Sequence, residues 1–155
     1  MSILLSLTFI NTYAETVPMD VLDAVRDKNN VRLEEFLQSG ADPNSMTVTG
    51  QNLLTYAVLM RNTEAVNLLI NKGADVNTPN KQAGMDIYPI SLAVTSQDIP
   101  TVKSLINAGA KTDIVVGGQP LKNIAKFMNN RELVNILNGS NYEALDEKVT
   151  TKTIL

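Results

Sequence analysis

Sixteen Asp and Glu, thirteen Lys and Arg, and no His or Cys bound the chemistry open to this 155-residue chain. Without imidazole or thiol it has no Ser-His-Asp relay, no Cys nucleophile and no imidazole or thiolate metal site. An enzymatic role would have to rest on carboxylate, Lys or Tyr groups. The carboxylates that recur with regular spacing are Asp42 and Asp75, 33 residues apart. A catalytic pair would need both proximity and environments that push the two pKa values apart. The simpler expectation is that each side chain binds backbone N–H groups of its own turn. Gly117-Gly118 precedes a helix as an anion-holding loop would, but it lacks the further glycines and the Lys-Ser/Thr of a phosphate loop, and reads as a hairpin tip. Asp20 and Asp23 stand at a helix start, where the dipole favours carboxylates, and Glu34-Glu35 reads as a solvated face. No catalytic, cofactor-binding or metal-ligating residue is assigned, and no cofactor is expected.

The elements that position these aspartates repeat along the chain. Gly40-Ala41-Asp42-Pro43-Asn44 returns as Gly73-Ala74-Asp75-Val76-Asn77, and a weaker copy, Gly109-Ala110-Lys111-Thr112-Asp113, follows 36 residues later. Self-similarity at this period signals a repeat architecture. Each turn follows two short apolar-striped segments. In repeat one, a helix over Asp20–Val25 leads through the polar break at Asp27–Asn30 to a second over Val31–Leu37, where Leu33, Phe36 and Leu37 fall at helical spacing. In repeat two, Leu53, Leu54, Ala57 and Val58 point inward from the first helix, and Ala65, Val66, Leu68, Leu69 and Ile70 from the second. Ala24, Ala57 and Ala93 share one position, where a small side chain lets paired helices approach. Pro89 suits the first turn of the first helix of repeat three; Val102, Leu105 and Ile106 stripe the second, which runs from about Ile99 to Ala108. Repeat four, Gln119–Gly139, has a break at Asn129-Asn130 and no following Gly-Ala-Asp turn, as a terminal copy facing water should.

The pattern of Leu54 and Ala57, Ala65-Val66, Leu68-Leu69 and Gly73-Ala74-Asp75-Val76-Asn77 resembles an ankyrin repeat. Asn52-Leu53-Leu54-Thr55 departs from the Thr-Pro-Leu-His box of that family, so the hydrogen bonds of that Thr and His must be replaced or lost. The resemblance covers about residues 16–139 and implies an all-α solenoid of about four helix-turn-helix repeats joined by hairpin loops. The repeats fall at about 16–44, 47–79, 83–115 and 117–139, with 140–155 as a tail or cap. It also implies a surface, made of hairpin tips and the exposed side of each first helix, that recognises other proteins.

By repeat position, that surface comprises Val48, Thr49, Gln51, Leu59 and Met60 in repeat two, and Met85, Ile87, Thr95 and Ser96 in repeat three. Exposed apolar clusters of this kind mark interaction sites; Met60 and Ile87 would equally suit a place in the core between repeats. Three extra residues lengthen the finger over Thr78–Ile87, and insertions in repeat proteins gather on one face, often the binding face.

A net charge of −3 offers no broad basic face for phosphates, so nucleic acid is not an expected ligand. Ile3–Ile10 is an uncharged apolar run followed by Asn11-Thr12-Tyr13-Ala14, the order of a secretory signal with cleavage near Ala14, although no basic residue precedes it. The expectation is therefore a monomeric, non-catalytic protein-binding module, exported to the bacterial periplasm or secreted, without a membrane anchor after cleavage. Its role there would be inhibitor, immunity-type or accessory protein. The alternatives are a small carboxylate enzyme working in the groove and a cytosolic adaptor whose apolar start is an uncleaved cap.

Overall fold

Helices of seven to nine residues cannot hold together alone in water, and every helix among the described residues is that short. A computed structural model describes residues 16–139, so the apolar run at 3–10 and the tail at 140–155 lie outside the described residues. The helices come in pairs: α1 (Met19–Arg26) with α2 (Val31–Gln38), α3 (Leu53–Leu59) with α4 (Thr63–Asn71), α5 (Pro89–Thr95) with α6 (Ile99–Asn107), and α7 (Leu121–Phe127) with α8 (Arg131–Leu137). Each pair packs internally; α3 lies against α5, α5 against α7, and α4 against α6, giving a stack of helix pairs. Two antiparallel fingers project from it, β1 (Asn80–Gln82) with β2 (Met85–Ile87) and β3 (Val115–Val116) with β4 (Gln119–Pro120). Between α2 and α3, Met46 and Asn52 pair across a tighter turn, so the finger of repeat three is the longer one.

One continuous apolar seam runs through the stack. Leu33, Leu53, Leu69, Leu105, Leu121 and Leu133 are all fully buried, and each contributes about 1.5–3 kcal/mol by leaving water. Ala57, Ala93 and Ala125 are also fully buried at the helix crossings, whereas Ala24 keeps partial exposure because no described helix lies on that side of α1. Leu68, Ile70 and Ile106 are only partly buried, flanking the seam instead of filling it.

Both helices of each pair end in the same way. Where α4 stops, the N–H of Ala74 bonds back to the carbonyl of Leu69 and that of Gly73 to Ile70, with Gly73 at φ 93°, a left-handed cap that glycine enters without penalty. The first helices close identically, but with Lys28, Arg61, Gln97 and Asn129 at φ 51–58°. What reads in sequence as a polar break is thus a capping turn whose side chains tolerate the left-handed conformation at a cost.

Polar side chains lock successive repeats together. Asn62, almost fully buried, accepts from the N–H of Ala65 at 3.0 Å as the cap of α4, and its Nδ2 donates to the Val25 carbonyl and to Asn30 Oδ1, both at 2.8 Å, in the preceding repeat. One repeat on, Thr63 and Thr101 share a hydroxyl–hydroxyl bond of 2.9 Å, and Thr101 donates to buried Asp98. The turns form a second ladder: Asn44 Oδ1 accepts from the N–H of Asp75, and Asn77 Oδ1 from that of Lys111, both at 2.8 Å. The bonds of the missing Thr-Pro-Leu-His box are replaced by Asn52. It caps α3 through the Thr55 N–H at 2.8 Å, donates Nδ2 to the Thr78 carbonyl, and sends its own N–H to Asn80 Oδ1 at 2.9 Å.

Two outcomes follow from this bonding. Asn62→Ala removes a helix cap and leaves buried groups of two repeats unpaired, and lowers the unfolding free energy by about 2 kcal/mol; urea titration giving under about 0.5 kcal/mol would contradict the inter-repeat role. The Asp75 carboxylate accepts from the Thr78 hydroxyl and the Asn77 N–H, which hold its pKa below the usual carboxylate value. A lowered folded-state pKa stabilises above the unfolded value and is lost as pH falls through the folded one. The stability gap between the chain and Asp75→Asn therefore narrows below about pH 4, and a gap that stays constant through that range would refute this bonding.

Candidate functional site

The fingers and the first helices leave a groove between them. One hollow of it, about 370 Å³, lies between the turn of Thr49, Gly50 and Gln51 and the finger of Asn80, Lys81, Gln82 and Ile87. Thr55 and Leu59 of α3 and Leu92 of α5 form its helical side. Leu59 and Leu92 also line the adjoining hollow of about 310 Å³, together with Val58, Arg61, Thr95 and Ser96. The two hollows therefore meet along Leu59 and Leu92.

Of the positions read from sequence, Thr49, Gln51, Leu59, Ile87, Thr95 and Ser96 line this groove. Val48 and Met85 are 62% and 54% exposed on the fingers and stand outside its lining. Met60 is half-buried against the core, which places it with the packing of the stack. The hydroxyls at the helix end are already used: Thr95 Oγ1 donates to the carbonyls of Ser91 and Leu92, and Ser96 Oγ to that of Ala93. These two residues thus shape the wall without offering free donors.

The same face continues into repeat four, which the sequence reading did not pursue. Phe127 stands 32 residues after Thr95 and 68 after Leu59, one position carried through three first helices. Its ring is 94% exposed and borders, with Gln119, Asn123 and Ile124, a hollow of about 730 Å³. The usable signal was the constant position relative to the left-handed caps at Arg61, Gln97 and Asn129. Exposed aromatic rings are enriched in protein interfaces relative to the rest of a protein surface.

Carboxylates take little part in this groove. Among the described residues none lines either of its two hollows. Asp42 holds the N–H of Asn44 at 2.9 Å and Asp75 that of Asn77 at 2.8 Å, each within its own turn. Asp20 is paired with the Arg32 guanidinium at 2.6 Å on the exposed side of repeat one, and that bond lowers its pKa. Gly117-Gly118, both with positive φ, form the tip of the β3–β4 finger. Among the described residues no group of three or more acidic side chains is arranged to hold a metal ion, and no helix is long and apolar enough to cross a membrane.

Comparison with known proteins agrees with this architecture. The family described as ankyrin repeats (3 copies) matches residues 21–116. The chain is 34% identical over 76 residues to the E3 ubiquitin-protein ligase Ufd4 of Drosophila melanogaster, an alignment covering 48% of this chain and 3% of that protein. It is 31% identical over 102 residues to the E3 ubiquitin-protein ligase hecd-1 of Caenorhabditis elegans, covering 65% of this chain and 4% of the other. To the putative ankyrin repeat protein FPV244 of Fowlpox virus (strain NVSL) it is 36% identical over 74 residues, covering 48% and 11%. The chain thus spans only a small part of each relative. Stacked helix pairs, Gly-Ala-Asp turns, projecting fingers and the family match lead to one conclusion: this chain belongs to the ankyrin repeat family, whose repeats serve as protein–protein interaction modules.

Proposed function

We propose that the chain is a non-catalytic module that grips a protein partner along the groove between its fingers and first helices. The observation that carries this reading is the row Leu59, Thr95 and Phe127, with Leu92 beside the first two. Leu59 and Leu92 lie beside polar Thr49, Gln51, Lys81 and Gln82, and Phe127 adds exposed apolar surface in repeat four, a mixture like that of an interface core and its rim. The rival, carboxylate catalysis in the groove, needs an acid with a raised pKa next to a hollow. Asp75 instead has a lowered one and spends its oxygens on turn hydrogen bonds.

We also propose export to the bacterial periplasm, where the module serves as an inhibitor, immunity-type or accessory protein for an envelope enzyme; the support is the apolar run Ile3–Ile10 and the Thr12-Tyr13-Ala14 site. The ligase relatives share the repeat region alone, so their activity is not carried over.

Affinity capture from the native host tests the groove. Replacing Leu59, Met85 and Phe127 together by Ser, at positions 41%, 54% and 94% exposed, weakens capture about tenfold or more and leaves the melting temperature close to that of the parent. Equal loss of melting temperature and affinity, or undiminished capture, would overturn the groove assignment. Mass spectrometry of the chain isolated from that host finds Glu15 or its neighbour at the N-terminus; an intact Met1 would favour the cytosolic adaptor.

A further inference from the structure

Two buried polar atoms of residues that line the hollow of about 370 Å³ have no hydrogen-bond partner among the described residues. Asn80 is 6% exposed and Thr55 1% exposed, both line the same hollow, and neither Asn80 Nδ2 nor Thr55 Oγ1 makes a hydrogen bond. The orientation of the Asn80 amide is fixed, because its oxygen accepts the N–H of buried Asn52 at 2.9 Å, so the end left over is the donor. Thr55 gives up only its backbone N–H, to the Asn52 cap; its hydroxyl can donate or accept. Buried polar groups are satisfied in nearly all folded proteins, and one that is not calls for an explanation.

We propose that this hollow is a recognition pocket for a side-chain carboxamide, Gln or Asn, of the partner polypeptide. The proposal rests on the protein-binding reading above and names one contact within it. A carboxamide carries an acceptor for Asn80 Nδ2 and a donor for Thr55 Oγ1, the complement of the two free groups. Leu59, Ile87 and Leu92 supply apolar surface for its methylene stem. A carboxylate is the poorer guest. The cation at the rim, Lys81, is paired with Asp86 across the finger at 3.8 Å, which leaves no unopposed positive charge to offset desolvation of an anion. A hydrocarbon side chain would leave both buried groups unpaired.

The test uses the full chain labelled with ¹⁵N and follows the Asn80 side-chain NH₂ resonances during titration with three probes: N-acetyl-glutamine methylamide and its glutamate and norleucine counterparts. The glutamine probe shifts the Asn80 NH₂ pair saturably, with a Kd on the order of 1–10 mM for so small a ligand. The glutamate probe binds about fivefold more weakly or worse, and the norleucine probe, which shares the same backbone amides, leaves that pair unmoved. Asn80→Asp retains the oxygen that faces the Asn52 N–H and exchanges the free donor for an acceptor, so it abolishes the glutamine response. Thr55→Val weakens the response about threefold or more without lowering stability, since the hydroxyl has no internal partner to lose, and it serves as the test if Asn80→Asp does not fold. A motionless Asn80 pair, or equal responses to all three probes, or stronger binding of glutamate, would overturn the proposal. Those results leave capture by the apolar row intact, whereas loss of capture in the Leu59, Met85 and Phe127 variant without any response of the pocket isolates the broader reading.

Discussion

Everything in this molecule depends on the inability of a two-turn helix to stand by itself. Each of the eight helices among the described residues has nine residues or fewer, too few for backbone hydrogen bonding to repay the entropy of nucleation. What makes them stable is the neighbour that covers the apolar stripe. Leu53 and Leu54 need the flanking pair as much as Ile90 and Leu121 do, which makes the stack a chain of nearest-neighbour interfaces. The polar bonds that cross those interfaces run from Asn62 to Val25, from Asn44 to Asp75 and from Asn77 to Lys111. They add direction to that dependence, because a helix pair slipped out of its place would bury their donors and acceptors without partners.

The same arrangement separates what the stack needs from what a partner can use. Stacking consumes the inward stripes and the Gly-Ala-Asp turns, and leaves the finger tips and one flank of each first helix uncovered. On that flank the repeats differ: Leu59, Thr95 and Phe127 occupy one position in three successive helices with three different side chains. The fingers differ as well, since residues 80–87 build a paired hairpin where repeat two has a single bridge. Variation therefore sits where the fold tolerates it, on a rigid support, which is the physical basis for recognition by repeat proteins.

The sequence disclosed the stack through repetition. Gly40, Gly73 and Gly109 close helices at a regular interval, and the stripes of Leu33-Phe36-Leu37 and Ala65-Val66-Leu69 bury as spaced. Local signals such as Pro89 at a helix start were also readable, because their cause lies within a few residues. Features set by contacts between repeats were not. Lys28, Arg61, Gln97 and Asn129 look like ordinary polar loop residues, and only the backbone reveals their left-handed conformation. Asn52, Asn80 and Thr55 belong to a cluster spanning 28 residues whose members come together through the pairing of a finger with a helix start. Phe127 could have been found by carrying the repeat position one step further. Met60, which in sequence suited the surface and the core equally, lies half-buried against the core.

Amide hydrogen exchange of the full chain, free and in complex with the protein captured from its host, tests the central claim most directly. Gripping through the groove predicts added protection confined to residues 47–60, 80–97 and 119–128, the fingers and first helices that border it. Protection appearing instead on α2, α4 and α6, or nowhere within the stack, would contradict the account and move recognition away from this face.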